Sequence, residues 1–411
     1  VNTLLAITGR VPYSTTEEAF VQDELETMMR RGVDLIVVPA RTQTAGPNPA
    51  SVDSGLADRV LAEPVVSLTV VRGAVRTLLR RPGRSIRVVV RALAGSGSLR
   101  NFVANLSTVP KALWLADIAR SREVTHVHGY WFAHPATMAM ICGDIMGLPW
   151  SATGFRWDID ADNAMAQKIE SAAFLRVADE LGARQMAEKV ASSTRPACPV
   201  PLVRTGVAVP ERSTWEANPL GSDLICCPGA FVEKKGHLLL LEAVAARVAA
   251  GQDLQVHLFG DGPERGRIEA AIERHDLGGR VVLHGIVPLD ELRAFLGRRR
   301  PVVVLPSIKA DDGQEEGIPV VLIEAMANGA PVISTRTGSI PTLVTTGCGW
   351  LVQDRDAAAL ATAIADATQD TDETEAVCAR AAERVSREFD REATAETMAT
   401  LTGVAQTSGA S

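Results

Sequence analysis

The stretch QEEGIPVVLIEAMANGAPVIST, residues 314–335, decides how this chain is read. It predicts loop, helix, loop, strand. Pro319 suits the first helical position, where a missing N–H costs nothing. Residues 320–328 carry apolar side chains at helical spacing, and Gly329 supplies the stop. The run APVIS then reads as a short buried strand. Glu316 precedes the helix and Glu324 lies inside it, with seven residues between them. The N–H groups of Gly317, Ile318 and Val320 gather with the positive end of the dipole at the helix start, which suits a diphosphate. Gly317 has no side chain to block a close approach. Carboxylates beside such a site are poor phosphate ligands but good acceptors for sugar hydroxyls.

The stretch closely resembles the signature of glycosyltransferase family 4, retaining enzymes of the GT-B fold: Glu, seven residues, Glu, then Ala-Met-Ala-x-Gly-x-Pro-Val-Ile. Glu316, Glu324, Ala325, Met326, Ala327, Gly329, Pro331, Val332 and Ile333 match it. The resemblance implies an α/β GT-B architecture of two facing Rossmann-like domains. Residues 1–205 would form the acceptor domain and residues 206–385 the nucleotide-sugar donor domain. Residues 386–411 would be a helix returning to the first domain and a frayed tail, AQTSGAS. It also implies that Glu324 holds the ribose of the donor, while Glu316 and the backbone of Gly317, Ile318, Pro319 and Val320 face the sugar and diphosphate.

Other stretches continue the resemblance. In GAFVEKKG, Gly229, Lys235 and Gly236 match the family's Gly-Arg-Leu-x-x-x-Lys-Gly, with Ala230 at the arginine position. Lys235 is then expected to stabilise the departing diphosphate. Lys234 is expected to point the other way, as neighbours in an extended loop do, which leaves Arg204 and Arg336 as candidate second cations. Gly285 and Ile286 fall where the family contacts the base, and Gly9 lies in the loop after the first strand. In VTHVHGYWFAHP, residues 124–135, the His-x-His pattern puts two imidazoles on one face of a strand; His128 is expected in the cleft with a catalytic role, and His126 to be structural. In LPWSATGFRWDID, residues 148–160, Thr153 and Asp158 match the family while Phe155 replaces its histidine. Phe155 and Asp158 are expected in the acceptor pocket, with no histidine hydrogen bond available to the reacting sugar. Ser339 and Thr342 stand where the family usually has Gly and Glu.

Bulk properties set outer bounds. A chain of 411 residues with 46% hydrophobic content accommodates two cored domains. Its net charge of −7 argues against general nucleic-acid binding. The six cysteines form no CxxC pair, which predicts free thiols in a reducing cytoplasm and no structural zinc. The opening VNTLLAITG reads as a first strand and not a signal peptide. Residues 9–16 and 42–55 read as loops, 164–193 as helices, the polar run 211–222 as a surface loop at the domain boundary, and 376–404 as helical in length. Residues 64–116 contain no acidic residue but nine basic ones, Arg72 to Lys111, interleaved with apolar side chains. This window reads either as a pair of solvated helices or as a basic amphipathic surface, giving a peripheral contact through residues 72–111 with the inner membrane face or an acidic acceptor.

The expected function is a retaining, metal-independent hexosyl transfer from a nucleotide diphosphate sugar to a glycan, lipid-linked or natural-product acceptor, without a cofactor. Phe155 opens the further reading of an unusual sugar or a thiol acceptor. The alternative, motivated by Phe155 and Ala230, is a sugar-nucleotide-binding pseudoenzyme or partner subunit. An epimerase of the same fold fits less well with a complete Glu-x7-Glu pattern. Asp311 and Asp312, the nearest thing to a metal-binding aspartate pair, fall in a loop expected to be solvated.

Overall fold

The computed structural model describes residues 2–13, 18–41, 46–192, 198–216, 218–369 and 371–405. Parts of several segments read from sequence lie outside them: residues 14–17, 42–45, 193, 217, and 406–411 of the tail. The chain divides into two compact units, Val1–Gly206 with Arg391–Ser411, and Val207–Asp390.

The first unit is built on a five-stranded parallel sheet: β1 Thr3–Thr8, β2 Asp34–Pro39, β3 Val124–Tyr130, β4 Trp150–Gly154 and β5 Phe174–Val177, in the order β2-β1-β3-β4-β5. Crossover helices cover both faces, so central strands such as β1 (TLLAIT) are wholly buried, with apolar residues running through Leu4–Ile7 between two threonines. Residues 164–193, expected as helices alone, contain β5 between Met165–Ser171 and Glu180–Ala191. A long-range pairing explains this: buried Arg176 in β5 donates to both carboxylate oxygens of Glu24, at 2.8 and 2.7 Å, and Tyr130 Oη donates to the same carboxylate. The helix Arg391–Leu401 packs on the helix Ala19–Arg30 within this unit. The single helix expected over 376–404 is instead two, Asp372–Glu388 and Arg391–Leu401, and buried Phe389 lies in the break.

The second unit carries β6 Gly221–Pro228, β7 Gln255–Phe259, β8 Val281–Gly285, β9 Pro301–Leu305, β10 Val332–Thr335 and β11 Trp350–Val352. They are parallel and ordered β11-β10-β9-β6-β7-β8. The chain therefore leaves β6 toward one edge and β9 toward the other. The crevice outside their carboxyl ends is the switch point at which open α/β sheets bind ligands. The predicted helix forms over Val320–Ala327, with Pro319 as its N-cap and not its first helical residue. Gly329 has φ +62° just past its end. A side chain there would overlap the Trp215 ring, whose nearest atom lies 2.3 Å from the Cβ position.

Trp215 also corrects the reading of residues 211–222 as a surface loop. The short helix Ser213–Glu216 buries this indole, and the Arg300 guanidinium sits 4.9 Å from its ring centroid. Arg300 donates to Gly329 O (3.1 and 2.9 Å) and to Asn218 O (2.8 Å), and pairs with Glu375 (2.7 Å). A nominally polar run thus anchors the C-terminal end of the motif helix.

Two glycines should respond oppositely to alanine. Gly329→Ala places a Cβ against Trp215 at a positive φ and is expected to lose more than about 1 kcal/mol. Gly266, exposed in the helix Arg265–Arg274 with nothing within 4 Å of a Cβ, should gain about 0.5–1 kcal/mol. Urea midpoints of the two variants check both signs.

Candidate active site at the carboxyl edge of the second sheet

Glu316 follows β9 and is buried. Its Oε1 lies 3.1 Å from Lys235 Nζ and 3.4 Å from Lys234 Nζ, both in the loop after β6. These are ion-pair distances without the geometry of a formed hydrogen bond, and Oε1 has no hydrogen-bond partner. Residues Glu233–Lys235 form a 3-10 turn, not an extended loop, so both ammonium groups reach the same carboxylate. The expectation that Lys234 points away is therefore overturned. Burial would raise the Glu316 pKa, but Lys235 and then Lys234 outweigh it and hold the group below its ordinary range.

Close backbone contacts brace this pair. Ile308 N–H donates to Lys234 O (2.9 Å), joining the loops after β6 and β9. Gly236 (φ +70°) has Pro306 O at 1.9 Å from its Cβ position, and Gly338 (φ +52°) has Glu316 O at 1.9 Å, so neither tolerates a side chain. Around the pair lie buried polar atoms with no hydrogen-bond partner: both ring nitrogens of His237, Ser307 Oγ and Ser339 Oγ. Each such atom left dry costs about 1–3 kcal/mol. Their concentration where β6, β9 and β10 end marks a place built for a polar ligand or ordered solvent. His237 and Ser307 carried no motif signal of their own, and Ser339 only that of a departure from the family's usual glycine.

The other predicted residues of this unit fall as follows. Gly317, Ile318 and Pro319 lead into the helix start, where Val320 begins a turn whose N–H groups lack intrahelical acceptors by position. Glu324 is buried in that helix, and Arg293 reaches its Oε1 at 2.8 Å through Nε. Arg293 was not singled out from sequence; it comes from the helix Leu289–Arg299, and only the tertiary fold brings it there. Gly285 (φ +69°) ends β8 with open space at its Cβ position, and Ile286 is exposed. Arg336 lines a separate concavity of about 410 Å³ with Pro341, Thr345 and Trp350. Arg204 belongs to the first unit and pairs with Glu180. Asp311 and Asp312 are exposed, as expected of a solvated loop.

In the first unit, Gly9 N–H donates to Glu18 Oε1 (3.1 Å), Arg10 and Val11 N–H donate to Oε2 (2.6 and 3.0 Å), and Trp131 Nε1 donates to Oε1. The Gly9 amide proposed for the donor is thus taken by an internal carboxylate. His128 is fully buried, with Nδ1 2.7 Å from Ser151 Oγ and Nε2 2.9 Å from Thr153 Oγ1. Both ring nitrogens are engaged inside the sheet, so this imidazole offers no atom to a ligand in this arrangement. Its neighbour His126 shares Ser151, and burial pushes its pKa down to about 4. Asp158 is buried too. It accepts N–H groups from Phe155 (2.7 Å) and Phe132, which joins the loops after β4 and β3, and burial raises its pKa to about 7. Phe155 is half-buried and packs on Trp131 and Phe20, with ring centroids 4.5 and 5.1 Å away. Trp131 has φ +80°, a strained value for an aromatic residue and of the kind that clusters at functional sites.

The Glu316 pKa should report the pairing directly. Its depressed value adds stability that is present above the unfolded pKa of about 4.3 and is lost as pH falls through the folded value. Lys235→Ala leaves burial opposed by one ammonium group, so the Glu316 pKa should rise. Lys234→Ala should raise it less. Carboxyl NMR titration of the two variants measures both.

Comparison with known proteins follows this geometry. Residues 212–385 match the family described as glycosyl transferases group 1. A 173-residue stretch is 40% identical to the putative colanic acid biosynthesis glycosyltransferase WcaL of Salmonella typhimurium, covering 42% of each chain. Another of 162 residues is 35% identical to the amylovoran biosynthesis glycosyltransferase AmsK of Erwinia amylovora, covering 39% of this chain and 40% of that one. The matches thus span about two-fifths of these relatives. Among solved structures, sucrose-phosphate synthase from Thermosynechococcus elongatus has a TM-score of 0.68 at 19% identity, over 98% of both chains. Anabaena HepE in complex with UDP-glucose has a TM-score of 0.66 at 15% identity, over 97% and 98%. The fold is therefore GT-B, with two Rossmann-like parallel-sheet domains, and its second domain matches the group 1 glycosyltransferases.

Proposed function

We propose that this chain is a retaining, metal-independent glycosyltransferase that moves a hexose from a nucleoside diphosphate sugar to a glycan or lipid-linked acceptor. One observation carries the reading: unsatisfied buried polar atoms surround the Glu316–Lys235 pair at the β6/β9 switch point, beside a helix N-terminus. The relatives named above are described as colanic acid and amylovoran biosynthesis glycosyltransferases, and HepE binds UDP-glucose, which supports the donor and acceptor classes.

In this reading the donor diphosphate lies at the Val320 helix start and against Lys235. The bond between C1 and the diphosphate oxygen breaks, and the negative charge that develops on that oxygen is met by fixed positive groups. The acceptor oxygen bonds to C1 from the same face, and its proton passes to the departing diphosphate. Glu316 is held ionised and accepts hydrogen bonds from the sugar. Glu324 accepts from the ribose, and Arg293 fixes its carboxylate, which has lone pairs enough for both. Gly285 and Ile286 border the base. Lys234 supplies the second positive charge that Ala230 removes, which weakens the case for a pseudoenzyme. His128 is left out of the catalytic set, and Asp158 is assigned to holding the acceptor-side loops. Phe155 forms an apolar platform with Phe20 and Trp131 for an acceptor ring; a thiol or an unusual sugar remains compatible with it.

Turnover of a panel of UDP-, GDP-, dTDP- and ADP-sugars, followed by mass spectrometry and anomeric NMR, tests this. Release of nucleoside diphosphate with retained configuration is expected. Lys235→Ala should lower kcat by about 10²–10³-fold, and Lys234→Ala by less but measurably. Glu324→Ala should weaken donor binding by about tenfold to 150-fold. Donor binding without turnover of any sugar or acceptor would point to the pseudoenzyme, and absence of donor binding would remove the reading altogether.

A further inference from the structure

The basic window of the first unit folds as three helices, Leu68–Arg80, Pro82–Ala94 and Leu99–Ser121. The first two, and the opening turns of the third, present the wrong face to the protein. Leu68–Arg80 buries Val70, Gly73, Ala74 and Thr77. Gly73 sits against the Trp114 ring, and Thr77 Oγ1 donates to Leu113 O (2.9 Å). Its large apolar residues Val71, Val75 and Leu79 (77% exposed) face outward at helical spacing, with Arg72, Arg76 and Arg80 beside them. Pro82–Ala94 likewise buries Ser85, Val88 and Ala92 while exposing Ile86 and Val90. At the start of the third helix, polar Asn105 is buried and donates to Ser96 Oγ and Asn163 Oδ1, while Leu99 (79% exposed) and Val103 point out. Eleven of the sixteen large apolar side chains exposed among the described residues fall within residues 66–106. A soluble surface does not concentrate them so without a partner.

The charges are as one-sided as the apolar residues. Arg76 and Arg80 share a single carboxylate, Asp117, at 3.4 and 2.8 Å. Arg72, Arg87 and Arg100 have no ion-pair partner among the described residues. Three basic residues of the predicted 72–111 surface serve the interior instead, so the exposed face runs over residues 66–106 without Arg81 and Arg91 and ends before Lys111. Arg81 donates to Ile145 O (2.8 Å), and Arg91 pairs with Asp144 and Glu170 (3.4 Å each). Lys111 is buried and donates to Pro39 O and Glu63 O (2.6 Å each), and burial pulls its pKa down to about 8.

We propose that this face docks on an anionic lipid bilayer, lying in the interface with its apolar side chains among the acyl chains and its arginines at the headgroups. Only such a surface meets both features at once. A second copy of this chain would bring like charges together, and a soluble polyanion would leave the apolar side chains in water. The contact proposed is a peripheral one; no helix among the described residues is long and apolar enough to cross a membrane. The proposal does not depend on the sugar-transfer reading.

Flotation of the full chain with vesicles of phosphatidylglycerol and phosphatidylcholine (about 3:7) tests it. Binding is expected at low salt, with release as salt shortens the Debye length to about 3 Å near 1 M. Pure phosphatidylcholine vesicles should bind at least about tenfold less. Each arginine near an anionic surface contributes about fivefold in affinity, so Arg72→Glu with Arg87→Glu should weaken binding at least about 25-fold. Leu79→Ser with Ile86→Ser should also release the protein, whereas Arg298→Glu, an exposed reversal in the second unit, should leave binding unchanged. These side chains are exposed, and circular dichroism of each variant checks that it folds. Failure to float with anionic vesicles, or flotation indifferent to all four surface changes, would overturn the proposal. So would dextran sulfate binding that ignores Leu79→Ser, which assigns the face to a soluble polyanion. Concentration-dependent self-association abolished by Leu79→Ser would assign it to a second copy, and would overturn it too.

Discussion

The candidate chemistry of this chain depends on one buried electrostatic contact, the Glu316 carboxylate held between the ammonium groups of Lys235 and Lys234. Burying a carboxylate alone is costly, and the cost is offset because the loop after β6 delivers two ammonium groups to the carboxylate carried by the loop after the adjacent strand β9. That delivery requires the strand order of a sheet which reverses direction between β6 and β9. It also requires backbone approaches at Gly236 and Gly338 that leave no room for a side chain. The motif, the topology and the charge pairing are therefore one constraint seen at three levels.

Such a site is preorganised but not satisfied. Glu316 Oε1, His237, Ser307 and Ser339 are kept from bulk solvent without hydrogen-bond partners of their own. In a core built for stability alone they would be replaced by apolar atoms at little cost. Their retention at the carboxyl edge, with the apolar core lying behind them, is the arrangement expected where a ligand supplies the missing bonds. In the first unit, part of the carboxyl edge is closed from within: Glu18 fills the amides of Gly9, Arg10 and Val11, and the Trp131 and Phe155 rings pack beside that loop.

Much of this was legible in sequence wherever the signal was local. The motif helix, its stop at Gly329 and the alternation of strands with helices follow from period and punctuation, and the structure differs there by single residues. What escaped was decided at long range or by a small turn. β5 has only four residues, and Arg176 at its centre reads as polar until Glu24 is found 152 positions away. Lys234 was misdirected by assuming an extended loop where a 3-10 turn forms. Trp215 was lost in a polar run because its burial depends on Arg300, which arrives from a distant part of the chain. His128 was placed in the cleft by resemblance, whereas Ser151 and Thr153 on the neighbouring strand take both its nitrogens. The outward-facing apolar residues of the basic helices are a further case: periodicity finds an amphipathic helix but does not say which face is buried.

The central claim is that the β6/β9 switch point binds a nucleoside diphosphate through Lys235, the Glu316 loop and the helix start. Hydrogen–deuterium exchange of the full chain with and without saturating UDP or GDP tests it most directly. The account predicts added protection concentrated in residues 229–237 and 316–322, with the first unit's β1–β3 loops little changed. Protection absent from both segments while the nucleotide is bound would contradict it.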